Sequence, residues 1–518
     1  LVAAAVALAS TAAQAEWRKA ETPHYVIYSE DSADKLRTYA ARLEILDKTQ
    51  RVLTHKKEAL PTVKPIVYVL RNSDAVQASM AFPSEGVAGY YESTTRGPFL
   101  VTSVEKGEDD FTPQLVAFHE LTHYFMFENF PAAYPTWFTE GFAEFVGPSR
   151  IIEPDKAEVG RLSMTRLQTM AAFEWMPVKD LVAAHAYSDV KNIYMLYAEG
   201  WLLTHYLVLG GKRDGQLAKY LAAINHGQSF ADAAKEAFGD LKKLDNELQD
   251  YARRRTLPTR IFQFRVPLTT EVAIGTVSPA RAALMLHDIK LMAGIKADAA
   301  GDFAAQVRKI AARFPTDPFA LRLRCEADLL AGDRADAAAA ARQWLAAAPT
   351  DPLATTFAAT IEMADLAAAG SQDARAWDAA RARIAAAARA APNEPLILRA
   401  YYDSYLRQKK LPPADAQNML FRALDLNPND HEIRYELARD FEARGMLEDA
   451  IDMIRISAFS SSEKEPANDK ERQKLEKLRQ KYRLAGEERR ETAREMLVRL
   501  QAKAKAAGVA VKNADEGS

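Results

Sequence analysis

Cysteine is almost missing from this chain of 518 residues: Cys325 stands alone. No internal disulfide can form, so the fold must be stabilised by packing. No internal apolar run is long enough to cross a bilayer. Nor is there an excess of either charge. Sixty-eight basic residues face 70 acidic ones, a formal net charge of −2, which gives no electrostatic reason to expect a nucleic acid or an anionic membrane as partner. What remains is the composition of a soluble globular protein, 48% hydrophobic and 27% charged. It is also too much chain for one ordinary core, so two or more domains are expected.

The N-terminus departs from this background. Leu1 to Ser10 is a short apolar run, and Ala13-Gln14-Ala15 supplies the small-x-small pattern that signal peptidases cut. Residues 1–15 therefore read as a signal peptide lacking its basic start, with the mature chain beginning at Glu16. The competing reading is an apolar N-terminal helix of the fold. No cysteine follows that would carry a lipid anchor. Export without disulfides fits a bacterial periplasm, so the expected location is periplasmic or secreted.

Residues 16–270 mix strand and helix signals. Tyr25 to Tyr28 and Ile66 to Leu70 are β-rich runs, and Ser32 to Leu53 between them has helical periodicity. Gly89 to Tyr91 and Phe99 to Thr102 suggest two more strands, joined by a turn containing Gly97-Pro98. From Thr112 onward the pattern turns almost wholly helical. This predicts an α+β domain, sheet early and helices late.

Residues 271–460 are rich in alanine and arginine and carry repeats. Proline-marked junctions begin at Pro315, Pro349, Pro392 and Pro428, spaced by 34, 43 and 36 residues. Each opens a helix pair, broken near Gly332-Asp333 or Gly445, with an insertion around Ala368 to Arg375. This rhythm resembles tetratricopeptide repeats, which implies an all-α solenoid able to bind a protein partner. Residues 461–518 are dense in Lys, Arg and Glu to about Lys505, which predicts a solvated amphipathic helix capping the solenoid and a disordered tail.

The chemistry lies between these regions. Thr112 suits an N-cap and Pro113 a first helical residue. The helix they open, through Phe127, is apolar nearly all round, yet carries His119, Glu120 and His123 at its middle. Burying an ionised carboxylate is costly without compensation, and a divalent cation would supply it. His119 and His123, at i and i+4, emerge on one face and can share a tetrahedral ion. Glu120 projects about 100° round the axis, beside such an ion without ligating it, where it can take a proton from water. After breaks at Pro131 and Pro135, Thr136 can cap a second helix. There Glu140 and Glu144 share a face among Trp137, Phe138, Phe142 and Phe145. Two histidines and one carboxylate leave a fourth position open, as a catalytic site needs.

His-Glu-x-x-His followed by Trp-x-x-Glu-Gly-x-Ala resembles the zinc signature of gluzincin metallopeptidases, in the peptidase MA-like branch that includes the aminopeptidase-N family. The resemblance implies one zinc ion (Zn2+) per chain, held by His119, His123 and Glu140, with Glu120 as catalytic base. By similarity to thermolysin-like enzymes, Glu144 would hold the ring N–H of His119. The interval between His123 and Glu140 is slightly shorter than in the aminopeptidases, implying a trimmed loop. A Tyr-x-x-Gly match at Tyr197 to Gly200 implies that Tyr197 donates to the oxyanion, with Tyr194 in reserve; His205 would line the cleft or serve the core. The aminopeptidase Gly-x-Met-Glu-Asn strand has only Gly89-Tyr90-Tyr91-Glu92 here. This favours cleavage within a chain, with the Phe99 to Thr102 strand as the cleft edge for an extended substrate.

The expected activity is therefore zinc-dependent hydrolysis of peptide bonds in exported or cell-envelope proteins. Two rivals accompany it. One is an inactive relic whose repeats act as a protein-binding module, and the other is a zinc hydrolase of non-peptide amides or esters.

Overall fold

The computed structural model describes residues 16–106, 112–264, 272–460, 469–481, 483–486 and 491–509. The signal-peptide reading of residues 1–15 and the tail beyond residue 509 lie outside them. The architecture is α+β: a small mixed sheet with many helices. Among the described residues, no helix is long and apolar enough to cross a membrane.

The N-terminal part contains strands β1 (Arg18–Glu21), β2 (Val26–Ser29), β3 (Ile66–Leu70), β4 (Gly89–Thr94), β5 (Gly97–Ser103), β6 (Arg150–Glu153), β7 (Lys156–Val159), β8 (Arg260–Gln263) and β9 (Ala273–Thr276). Its helices are α1 (Ala33–Leu53), α2 (Ser73–Ser79), α3 (Pro113–Asn129), α4 (Thr136–Val146), α5 (Met164–Ala172), α6 (Val178–Ala183), α7 (Ile193–Leu209), α8 (Gln216–Asn225), α9 (Phe230–Phe238) and α10 (Leu241–Ala252). The main sheet runs β4-β5-β3-β2-β1-β9. Strands β2, β3 and β5 are parallel, while β4 runs antiparallel to β5 and forms one edge.

The central strands are apolar on both faces because both are covered. Ile27, Val67, Val69 and Leu100 face the core beneath α1, α3 and α4. Tyr28, Tyr68, Phe99 and Val101 alternate with them and pack against Met285, Ile289 and Met292. Those methionines and the isoleucine sit on α11 (Pro279–Ala293), which opens the second half of the chain.

The array continues as α12 (Ala300–Ala311), α13 (Pro318–Leu330), α14 (Arg334–Ala347), α15 (Pro352–Ala368), α16 (Ala374–Ala390), α17 (Pro395–Arg407), α18 (Ala414–Leu426), α19 (His431–Ala443) and α20 (Leu447–Ser460). Four of its helices, α13, α15, α17 and α19, start at the proline junctions. Pro318 and Pro352 occupy first turns whose amides donate to Asp317 and Asp351, while Asp430 caps α19 in the same way.

Several expectations need correction. The N-terminal sheet extends past residue 270, since β9 pairs antiparallel with β1 from Arg18↔Thr276 to Glu21↔Ala273. A second sheet, β6-β7-β8, interrupts the helical stretch after Thr112. Gly97 and Pro98 belong to β5, leaving Thr95-Arg96 as the turn. Thr136 is the first residue of α4 and not its side-chain cap; its hydroxyl donates to the His185 carbonyl at 3.0 Å. The single charged C-terminal helix is instead two, α21 (Asp469–Lys481) and α22 (Ala493–Ala506). Met496, Leu497 and Leu500 of α22 pack on α20. Leu484, between the two helices, bridges to Lys296 near the start of the array.

One buried carboxyl predicts how stability depends on pH. Burial pushes Glu199 on α7 up to about 8, despite the Met176 amide donating to it. An unfolded glutamate titrates near about 4.3. The stabilisation from keeping Glu199 protonated is full below that value and is lost as pH rises through about 8. Glu199→Gln should therefore show a smaller fall in Tm between pH 5.5 and 9 than the parent chain, checked by thermal unfolding at both pH values.

Candidate metal and catalytic site

Close packing of three elements builds the site. Thr112 Oγ1 accepts from the Leu115 amide at 3.1 Å, with Pro113 opening α3, so the helix starts as its sequence predicts. Helix α4 crosses α7 at glycines: a Cβ on Gly141 would sit 2.3 Å from the Gly200 carbonyl oxygen, and one on Gly200 would sit 2.6 Å from that of Trp137. Only glycine permits this approach, which explains why a glycine follows Glu140 and another lies three residues after Tyr197. On the other flank Gly89 lets β4 approach α3, since a Cβ there would lie 2.5 Å from Val116 Cγ1.

These contacts bring His119, His123 and Glu140 together. The two Nε2 atoms are 3.0 Å apart, and Glu140 Oε2 lies 3.3 Å from that of His119 and 3.6 Å from that of His123. Glu140 is 4% exposed, and its Oε2 has no hydrogen-bond partner among the described residues. A buried carboxylate oxygen without a donor, aimed at two imidazole nitrogens, is an arrangement that a cation could complete. These three residues form a group able to hold a metal ion.

Their surroundings fix the geometry. His119 Nδ1 lies 3.2 Å from Glu144 Oε1. A proton on that nitrogen leaves the Nε2 lone pair facing His123 and Glu140. Glu144 is itself clamped by Arg166 of α5, with Nε to Oε2 at 2.8 Å and Nη2 to Oε1 at 2.6 Å. Burial alone would raise the Glu144 pKa, but His119 and Arg166 outweigh it and bring it down to about 2. Removing this orienting carboxylate predicts a defined loss: Glu144→Gln should weaken zinc binding by about ten- to a hundredfold, as outer-shell partners typically do, read from competition with a chromogenic chelator.

Glu120 stands beside the pair, receiving a backbone hydrogen bond from Tyr91 of β4. Burial raises its pKa, against the lowering effect of the two histidines. Tyr197 stacks on His119 with ring centroids 6.4 Å apart, and the Arg166 guanidinium lies 5.1 Å from its ring centre. His119, Glu120, His123, Glu140 and Tyr197 line a cavity of about 910 Å³.

Tyr194 does not reach this cavity. It is 60% exposed and stacks on Phe173 at 6.1 Å. His205 is fully buried elsewhere, its nitrogens 2.9 Å from the Tyr251 hydroxyl and 3.0 Å from the Gly160 carbonyl, so it serves the core. The Phe99 to Thr102 strand is not the cleft edge, because β5 lies between β4 and β3; the edge is β4. Glu92, set aside on sequence, lies on that edge and lines the cavity, and burial lifts its carboxyl to about 7.

Two contributors carried no motif. Tyr187 donates its hydroxyl to Glu140 Oε1, turning the other oxygen to the histidines. It opens a single 3-10 turn, Tyr187–Asp189, too short for periodicity to mark it. Arg166 is one of 68 basic residues in the chain, and only the buried carboxylate it faces singles it out.

Comparison with protein-family models and with curated proteins finds no match for this chain. Among solved structures, the MamA RS-1 ArsTM double mutant aligns with a TM-score of 0.26 at 14% identity, over 35% of this chain and 94% of its own.

Proposed function

We propose that this chain is a zinc-dependent peptidase of gluzincin type with tetratricopeptide-like repeats, exported and acting on envelope or secreted proteins. One observation carries the reading: the His119, His123 and Glu140 donor atoms form a triangle with edges of 3.0, 3.3 and 3.6 Å. Donors at about 2.0–2.1 Å from a tetrahedral zinc are separated by about 3.3–3.4 Å, close to the mean of those edges.

A zinc ion held there would polarise the scissile carbonyl and acidify a water at its open position. Glu120 takes the proton of the attacking water and delivers it to the leaving amine. Its raised pKa suits both tasks, because a stronger base accepts the proton more readily and still releases it. Tyr197, kept protonated by burial, donates its hydroxyl to the oxyanion as charge develops there. Glu144 and Arg166 hold the His119 ring, and Tyr187 holds Glu140.

The test joins metal content to activity in the purified mature chain. One zinc per chain, with chelator-sensitive hydrolysis of an unfolded protein, is the expected result. A chain that binds no zinc would be the relic of the competing reading. Zinc with turnover only on non-peptide amides or esters would move the assignment to that hydrolase class.

A second reading, cleavage at an N-terminus, is favoured by Glu92. Its carboxyl lines the same cavity, where it could receive a substrate's amine. Blocking the amine by acetylation separates the two: within-chain cleavage survives it and terminal cleavage does not.

A further inference from the structure

The cleft is not built by the N-terminal part alone. Asn429, His431 and Phe459 of the last helix pair line the same cavity as His119, Glu120 and Glu140. Polar contacts from α13, α17 and the junction that opens α19 hold the array against the β4–β5 hairpin. Asn427 Oδ1 accepts from Ser93 Oγ at 2.6 Å, and its Nδ2 donates to the Thr94 carbonyl at 2.7 Å. Asn429 hydrogen-bonds the Tyr91 phenol. Arg399 Nη1 donates to Thr95 Oγ1 at 2.9 Å, and Arg96 Nε to Glu326 Oε2 at 2.9 Å. Asn427 is fully buried and Asn429 is 8% exposed, so this junction is packed. On the opposite flank the Phe459 ring lies 5.2 Å from that of Phe230 and 5.9 Å from that of His185. His185 is two residues from Tyr187, which holds Glu140.

The strand order gives this wall its consequence. Strand β4 pairs with β5 on one side, and Tyr91 offers its amide to Glu120 on the other. An extended substrate laid along that edge would have its reacting bond beside Gly89 to Tyr91. Each further residue advances about 3.4 Å along the strand. Beyond Glu92 the array stands in the way, because Asn427 bonds the Ser93 hydroxyl and the Thr94 carbonyl. A chain lying in that direction therefore meets the array within one or two residues of the bond to be cut.

We propose that the last helix pair, through Asn429, His431 and Phe459, is a specificity wall of the cleft that touches the substrate on the Glu92 side of the reacting bond and limits the length of chain there. This rests on the peptidase reading of the site. The side chains suit contact with a peptide. His431 Nδ1 is engaged by Ser457 Oγ at 3.0 Å, leaving Nε2 for a substrate group. Burial, with Arg434 nearby, lowers its pKa to about 4, so the ring is neutral at pH 7. Among the described residues, no lysine or arginine lines the cavity.

The experiment uses the full zinc-loaded chain and fluorogenic peptides with one scissile bond, lengthened residue by residue at either end. For the parent chain, kcat/KM is expected to drop about tenfold or more, the scale of a steric mismatch in a pocket, when one end passes two residues, and to vary little at the other. His431→Ala and Phe459→Ala, each retaining one zinc per chain, should raise the ratio of long to short substrate turnover by a similar factor. If the parent is cleaving but indifferent to length at both ends, or if neither variant moves the ratio, the wall is refuted while the peptidase reading stands. If the zinc-loaded parent cleaves no peptide of the series, the peptidase reading fails and this inference falls with it.

Discussion

Glu120→Gln is expected to keep one zinc per chain and to lose peptide hydrolysis by a factor on the order of 10²–10⁴. The substitution preserves volume and removes the negative charge and with it the ability to accept a proton. The three donor atoms belong to His119, His123 and Glu140, so metal affinity has no reason to fall. The amide oxygen of a glutamine can still accept the backbone hydrogen bond from Tyr91, so the local packing of α3 against β4 survives. Zinc content by atomic absorption and kcat by a peptide assay separate the two effects. Unchanged turnover would remove Glu120 from the mechanism; lost zinc would make it a ligand or a structural residue. A fall in kcat with zinc retained is what the loss of the proton acceptor produces, because the side chain keeps its volume and the donor set its three members.

Why was this residue readable from the chain alone, when Tyr187 was not? The answer is the range over which each signal acts. His119, Glu120 and His123 share one helix, whose period fixes which side chains project together. Ser32 before α1, Thr112 with Pro113 before α3, and Asp317 with Pro318 before α13 likewise mark helix starts through bonds closed within a few residues. Strand order has no such local signature. Phe99 to Thr102 reads as a strand, but only its pairing with both β3 and β4 makes it interior. The return of Ala273–Thr276 to pair with β1 spans the whole N-terminal part and leaves no mark in its composition. The cleft wall is harder still. Asn427 and Asn429 read as residues of a helix junction, and they acquire a role because the array folds back onto Ser93 and Thr94. The C-terminal stretch shows the same limit: its charge density predicts a helix but not the break between α21 and α22, where Leu484 bridges to Lys296.

Glu140→Gln tests the metal site from the side of stability. The parent chain should gain thermal stability on zinc addition, because a ligand that binds only the folded state stabilises it by about 4 kcal/mol at a thousandfold excess over Kd. The variant should lose most of that gain. Glu140 Oε2 is the anionic member of the donor set, and a neutral amide in its place is a much poorer ligand for a hard-to-borderline cation. The loss should exceed the ten- to hundredfold weakening, about 1.4–2.7 kcal/mol, expected from Glu144→Gln, which disturbs only the orientation of one ring. The metal-free chain should respond too, for another reason. Without a cation, burial would push the Glu140 carboxyl up, but the attraction of His123 and His119 outweighs it and holds the group charged, its pKa well below the usual carboxylate range. A neutral amide forfeits that attraction, so the variant should also unfold at a lower temperature in chelator, although the Tyr187 hydroxyl can still donate to the amide oxygen. The deficit should be wider in zinc than in chelator, because only there does the parent gain the binding energy of the ion. An equal deficit in both conditions would mean that Glu140 is a packing residue and not a ligand. A deficit that grows with zinc is what a carboxylate shows when an ion is its principal partner.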